Sequence, residues 1–290
     1  MYAMKPEFSN FEGLWQLLEQ PGTRLVMLIG GADSGKTTLI ETLARRLCQS
    51  LVVGVVDADI GQSHVGLPGT VGWGRAGRDF SGWDSVEPES FYFTGAVSPA
   101  GNLLPVVVGT RLMADMALAA CEKVFVDTTG LIAGGAGTAL KQMKIDLLRP
   151  DLIVALERDD ELGHILGAYS FHELPGIIRL PVAPEARATS PSKRARFRRE
   201  RYRVYFESPG AADREFSLDR VALRFTRGEA TGPAGLEGRL ASLRGHWNDD
   251  LALGVIKAVD ARAGTMLVRT RLAATEPVTT IVVGSIEAGR

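Results

Sequence analysis

From residue 24 to about residue 180, short apolar runs alternate with stretches in which apolar positions recur at helical spacing. This alternation predicts an α/β fold, a parallel sheet with helices on both faces. Residues 24–29 read as the first strand and residues 37–49 as the helix that follows. Residues 51–56 are a continuous apolar run, the pattern of a strand buried on both sides. Further strands are expected at 123–126, 152–156 and 176–180, with helices near 110–121, 137–148 and 160–170. Residues 75–104 break the rhythm. They are rich in Gly, Pro and aromatics (Phe80, Trp83, Phe91, Tyr92, Phe93) and predict a long irregular excursion. After Ser208-Pro209-Gly210 the texture changes again, to short strands at 251–257, 266–270 and 279–283 separated by Gly and Asp. The expected organisation is an α/β domain over 1–208 and a small β-rich accessory domain over 209–290, with no internal repeat.

Composition adds limits. The chain has 290 residues, 45% of them hydrophobic, and a mean hydropathy of +0.05, as expected of a globular protein with a sizeable core. A net charge of −1 gives no overall attraction to nucleic acid or membrane. Cys48 and Cys121 both lie in apolar stretches, which reads as two buried thiols rather than a disulfide framework. No uninterrupted apolar run reaches about 18 residues, so no membrane span is expected. Residues 1–10 lack the apolar stretch of a leader peptide. A cytoplasmic location is therefore the expectation.

The sharpest chemical signal is Gly30-Gly31-Ala32-Asp33-Ser34-Gly35-Lys36-Thr37, which fits G-x-x-x-x-G-K-[ST] between a predicted strand and a predicted helix. Such a loop turns backbone N–H groups toward phosphate oxygens, and the helix N-terminus adds partial positive charge. Lys36 would reach the β- and γ-phosphates of ATP or GTP, and the Thr37 hydroxyl would bind Mg²⁺. Two further strands end in acids, one in Asp57-Ala58-Asp59 and one in Asp127. Ligands of open α/β sheets gather at the carboxyl ends of strands, so all three acids stand where metal or base chemistry is done. Period-2 alternation would point Asp57 and Asp59 the same way. Spacing alone leaves open which holds metal and which takes a proton; a turn or capping role is the plainer alternative for each.

Residues 187–203 hold eight basic residues and one acid, a local charge of +7. Ser190 and Pro191 make a plausible helix start. On that helix Arg194, Arg198 and Arg201 share one face. The preference for Arg over Lys suits bidentate phosphate contacts, either as a lid over the loop or as a grip on a polynucleotide.

Together these features resemble the P-loop polynucleotide 5′-hydroxyl kinases. The match runs through Gly30 to Thr38, Asp57-Ala58-Asp59-Ile60-Gly61-Gln62, Asp127-Thr128-Thr129-Gly130 and the Arg-rich segment, about residues 25 to 205 in all. The resemblance implies transfer of the γ-phosphoryl of ATP or GTP to the 5′-OH of RNA or DNA. It further implies Asp57 as the base near the hydroxyl and Thr37 as a Mg²⁺ ligand, which leaves Asp59 and Asp127 as the candidate acids for the metal. Lys36, Arg194 and Arg198 would act on the phosphates, Gln62 would line the metal and phosphate site, and Thr128 and Gly130 would belong to a clasp on the substrate end. One departure stands out: Leu131 occupies the place of a base-stacking Trp in the eukaryotic cleavage-complex kinase. Stacking contributes about 1–3 kcal/mol per base, so the grip on substrate must come from elsewhere. His64 is expected to be a packed or solvated residue rather than a proton carrier. The competing reading is a nucleotide-dependent switch or assembly NTPase acting on a protein partner. The sequence offers it neither an Asn-Lys-x-Asp guanine-reading motif nor a Cys/His cluster.

Overall fold

Strand β1 (Leu25–Gly30) is buried along its whole length, as its apolar run requires. Its side chains alternate between two cores. Met27 and Ile29 join one cluster, Val26 and Leu28 the other. The computed structural model describes residues 11–184, 186–227, 235–273 and 277–288. The expectation about residues 1–10 falls outside these. On the Val26 face lie α1 (Phe11–Leu18), which the sequence pattern did not announce, and α2 (Lys36–Leu47). On the Met27 face lie α3 (Leu103–Ala120), α4 (Gly134–Leu148) and the short α5 (Gly163–Leu166), which ends in a single 3-10 turn where a longer helix was expected.

The sheet contains β1, β2 (Val53–Ala58), β3 (Thr70–Ala76), β4 (Ser90–Phe93), β5 (Lys123–Thr128), β6 (Leu152–Glu157) and β7 (Gly176–Pro181). Their order is β4-β3-β2-β5-β1-β6-β7. Five strands are parallel, while β3 and β4 run antiparallel at one edge, inside and before the stretch expected to be irregular. The sheet is thus dominated by parallel strands, as expected, with an antiparallel edge that the sequence pattern did not announce. Gly72 and Gly74 hid β3 by breaking its apolar pattern. Neighbouring chain crosses directly over them: a Cβ on Gly72 would fall 2.3 Å from the Val65 carbonyl oxygen, and one on Gly74 2.5 Å from that of Glu87.

Helix α3 also corrects the sequence. It begins at Leu103 rather than near 110 and has Pro105 in its first turn. By length and hydropathy it could span a membrane, the single such helix among the described residues. It packs instead against β2, β3, β4 and α4, burying Val106, Thr110, Met113 and Ala117, while Arg111 and Asp115 pair at 2.8 Å on its outer side.

Helix α6 (Pro191–Glu207) starts where Ser190 and Pro191 predict, with Ser190 Oγ accepting the Lys193 N–H at 3.3 Å. Beyond it, β8 (Ala212–Ser217), β9 (Ala222–Phe225), β10 (Arg239–Arg244), β11 (Asp250–Asp260), β12 (Thr265–Thr270) and β13 (Thr280–Glu287) form a second sheet in the order β8-β12-β11-β10-β13-β9. Three of these strands were expected; β8, β9 and β10 carry too many polar residues to stand out. The sheets meet in a shared cluster of Leu67 and Phe93, Tyr202 and Phe206 of α6, and Leu240, Leu253, Val282 and Ile286. The Phe93 N–H donates to Asp250 at 2.9 Å across the same junction.

Candidate functional site

The loop between β1 and α2 forms one wall of a cleft of about 740 Å³ at the carboxyl ends of the strands. Ala32 through Thr38 line it, with Gly30 and Gly31 behind them. Lys36 is buried, and its ammonium donates to the carbonyls of Gly30 at 3.1 Å and Gly31 at 2.7 Å and to Ser34 Oγ at 3.3 Å. Burial pushes its pKa down, while Asp127, Asp59 and Asp33 pull it back.

The structure separates the three acids that spacing had grouped. Asp127, at the end of β5, accepts the Thr37 hydroxyl at 2.5 Å, and its second oxygen is buried without a partner among the described residues. Asp57 lies within β2, 2% exposed and beneath the cleft wall. Its carboxylate accepts the main-chain N–H groups of Asp59 (3.0 Å), His64 (2.6 Å) and Val65 (3.1 Å) and the Ser63 hydroxyl (3.3 Å). It thus fastens the loop after β2 to the sheet. Asp59, past the end of the strand, lines the cleft, with one oxygen accepting the N–H groups of Gly61 (3.0 Å) and Gln62 (3.3 Å). The strand stops between them, so the alternation expected to aim both acids alike does not apply. Of the two acids expected at the reaction space, Asp59 lines the cleft together with Thr37, while Asp57 is buried behind the lining.

Burial, then Asp127 and Asp59, push the Asp57 carboxyl up to about 7, against the opposing pull of the Val65 and His64 N–H groups. A carboxyl raised on folding holds its proton in the native state after the unfolded chain has lost it. Stability of the nucleotide-free protein is therefore expected to fall as pH rises from about 4 to about 7. Denaturant unfolding at stepped pH should show that decline, and Asp57→Asn should flatten it; an equal slope in both proteins would remove the assignment.

Of the two expected clasp residues, Gly130 lines the cleft and Thr128 does not. The Thr128 hydroxyl is buried, donating to the Leu28 carbonyl at 2.7 Å and accepting from Lys141 at 2.8 Å. Thr129, Gly130 and Leu131 line the cleft, and Thr129 Oγ1 has no partner among the described residues. Gly130 touches the phosphate loop: a Cβ there would lie 2.4 Å from the backbone of Ala32. Gln62 lines the cleft as expected.

Helix α6 is a roof fixed at several points, not a free arm. At its start Asp33 accepts the Thr189 N–H at 2.9 Å and the Arg194 guanidinium at 2.7 Å. Burial disfavours the Asp33 charge, but these partners outweigh it and hold its carboxyl below the usual range. Further along, Arg201 donates to the carbonyls of His64 (3.1 Å) and Gly66 (2.6 Å), and the Tyr202 hydroxyl to that of Pro68 (2.8 Å). Arg194 and Arg198 face into the cleft, Arg187 with them.

Two features escaped the sequence. Lys141 and Lys144 of α4 are fully buried under the clasp. Lys141 also donates to the Thr129 carbonyl at 2.5 Å, which fastens the clasp to α4. Lys144 has no hydrogen-bond partner among the described residues, and burial pushes its pKa down to about 7. The available signal was a lysine at 144 on the stripe made by Leu140 and Leu148. The second feature is aromatic: the His64 ring, on the cleft wall, lies 5.5 Å from Phe197 of α6 and 5.8 Å from Trp83. His64 is packed, as expected, and burial and Arg201 lower its pKa.

Comparison with known proteins agrees with this geometry. The family model for the mRNA cleavage and polyadenylation factor CLP1 P-loop matches residues 30–208. A polyribonucleotide 5′-hydroxyl-kinase of Pyrococcus furiosus is 37% identical over 202 residues, 69% of this chain and 55% of the relative. One of Methanocaldococcus jannaschii is 35% identical over 208 residues, 71% and 57% of the two chains. The human polyribonucleotide 5′-hydroxyl-kinase Clp1 is 26% identical over 204 residues, 65% of this chain and 46% of the relative. The chain thus spans about half the length of the curated relatives it matches. Among solved structures, the complex of wild-type Clp1p with a Pcf11p segment superposes with a TM-score of 0.71 at 15% identity, covering 96% of this chain and 78% of the other. That likeness extends across both sheets.

Proposed function

The chain belongs to the CLP1 P-loop family, and on that premise we propose that it transfers the γ-phosphoryl group of a nucleoside triphosphate to the 5′-hydroxyl of a polynucleotide. The carrying observation is that one cleft has the phosphate loop on one wall, Asp59, Gln62 and the Thr129–Gly130 turn on another, and Arg198 above them. An in-line displacement needs these three sides: a phosphate cradle, a group for the attacking hydroxyl and a cation over the transferring group.

In this reading the loop N–H groups hold the phosphates, and Lys36 turns from the Gly30 and Gly31 carbonyls to the γ-phosphoryl oxygens. Thr37 and Asp127 fit Mg²⁺, because a hydroxyl and a carboxylate already meet there and the second Asp127 oxygen is buried and, among the described residues, unpartnered. Among the described residues no three acidic or imidazole side chains converge on one point, as suits an ion that takes most of its ligands from water and phosphate. When bound, Mg²⁺ would neutralise charge on the phosphate oxygens. Asp59, with an oxygen facing the cleft, takes the proton of the attacking hydroxyl, and Asp57 positions the loop that carries it. Leu131 and His64, which both line the cleft, offer apolar and aromatic surface to the terminal nucleotide. The names of the archaeal and human relatives favour RNA as acceptor.

The test is end-labelling from γ-labelled ATP and GTP, with matched 5′-OH RNA and DNA oligonucleotides. Label on the oligonucleotide, preferentially RNA, is the expected result. Triphosphate hydrolysis with no labelled acceptor of any kind would replace this reading with a nucleotide-dependent switch.

A further inference from the structure

We propose that the outer face of α6, with the adjoining strands β11 and β12, is a track for the sugar–phosphate backbone of the acceptor polynucleotide beyond its 5′-terminal nucleotide. The inference rests on the kinase reading above and extends it to substrate length.

Of the basic residues between 187 and 203, Arg187, Arg194 and Arg198 belong to the cleft and Arg201 holds the 64–66 carbonyls. Lys193, Arg196, Arg199 and Arg203 are left. The last three recur three and four residues apart, on the opposite side of the helix, and line a separate groove of about 600 Å³. Its far wall carries Lys257 of β11 and Arg269 of β12. Two carboxylates share the groove. Glu200 and Glu207 both draw on Arg203, at 2.7 and 3.0 Å, and Arg269 reaches Asp213 at 3.4 Å. Among the described residues, Arg196, Arg199 and Lys257 are exposed and form no ion pair. These three cations make the groove attractive to a polyanion.

The groove is also preorganised. Tyr202 and Phe206 sit in the cluster shared by the two sheets, and Arg269 Nε donates to the Phe206 carbonyl at 3.2 Å, tying one wall to the other. A rigid rim loses little entropy on binding. From Arg196 to Arg203 the helix rises about 10 Å at 1.5 Å per residue, enough to meet more than one phosphate. A polynucleotide fits better than an acidic peptide because the same helix points Arg198 into the reaction cleft. A strand with its 5′ end under Arg198 has only the width of one helix, roughly 10–12 Å, to cross before reaching the groove.

The experiment compares the wild type with Arg199→Ala/Lys257→Ala. A 3′-labelled 5′-OH RNA long enough to leave the cleft is followed by fluorescence anisotropy over a series of salt concentrations. Phosphoryl transfer to that RNA and to a dinucleotide is measured in parallel. The double variant is expected to bind the long RNA about tenfold more weakly, and the slope of log affinity against log salt should fall by about 1.4, roughly 0.7 for each lost contact. Its kcat, and its KM for the dinucleotide, should stay at the wild-type values. Equal wild-type affinity for long and short RNA would overturn the track, as would an unchanged affinity and slope in the variant. Displacement of the wild-type complex's groove contacts by polyglutamate, with the variant insensitive and its RNA affinity intact, would assign the groove to an acidic protein segment and overturn it also. Absence of transfer by the wild type, with the expected binding differences present, would remove the kinase reading and leave a polynucleotide site.

Discussion

Asp59→Asn is expected to lower kcat for phosphoryl transfer by about 10²- to 10⁴-fold, the usual contribution of a positioned general base. Nucleotide affinity and melting temperature should change little, because the residue lies in the cleft wall and Asn keeps an oxygen for the Gly61 and Gln62 N–H groups. Asp57→Asn should behave differently. It leaves an amide facing the N–H groups of Asp59, His64 and Val65, where a buried unsatisfied donor costs about 1–3 kcal/mol. Its first effect is therefore a lower melting temperature, with activity falling as the loop that carries Asp59 loosens. Single-turnover transfer by correctly folded proteins separates the two roles. Retention of activity in Asp59→Asn beside its loss in a folded Asp57→Asn would return the proton to Asp57.

Arg198→Ala is the second large effect, a loss in kcat of about 10³- to 10⁵-fold, the range for an arginine over a transferring phosphoryl group. Arg194 and Arg198 both face the cleft, but Arg194 is engaged with Asp33 on the phosphate loop. Among the described residues, Arg198 forms no hydrogen bond or ion pair, so its guanidinium is available to charge that develops only in the transition state. Arg194→Ala should instead weaken nucleotide binding by loosening the roof from the loop, with a smaller change in kcat. Measured kcat and nucleotide Kd for both variants decide this. An Arg198→Ala enzyme within tenfold of the wild-type kcat would rule out the role.

The roof itself shows how far local sequence reaches. Ser190, Pro191 and the spacing of Arg194, Arg198 and Arg201 place a helix and its inner face correctly, because capping and 3.6-residue periodicity are properties of neighbouring residues. They carry no information that Asp33, some 160 positions earlier, would hold one end, or that Tyr202 would close on Pro68. The helix expected as a lid or a grip is, in this structure, tied to the loops beneath it at both places.

The same division runs through the site. The amino-acid sequence alone determined the phosphate loop, the parallel core strands, the acids at their carboxyl ends and the CLP1-type order of motifs, since each is a short pattern whose chemistry lies within a few residues. Only the tertiary structure shows which of Asp57 and Asp59, and which of Thr128 and Thr129, lines the cleft. In each pair one side chain turns into the sheet and the next outward-facing one meets the cleft. Which is which depends on where the strand ends and on the groups that fold back over it: the 63–65 turn above Asp57, and Lys141 beneath Thr128. Strand β3 was hidden for a related reason. Its glycines answer to chain segments passing overhead, a demand written in three dimensions and not in the local pattern.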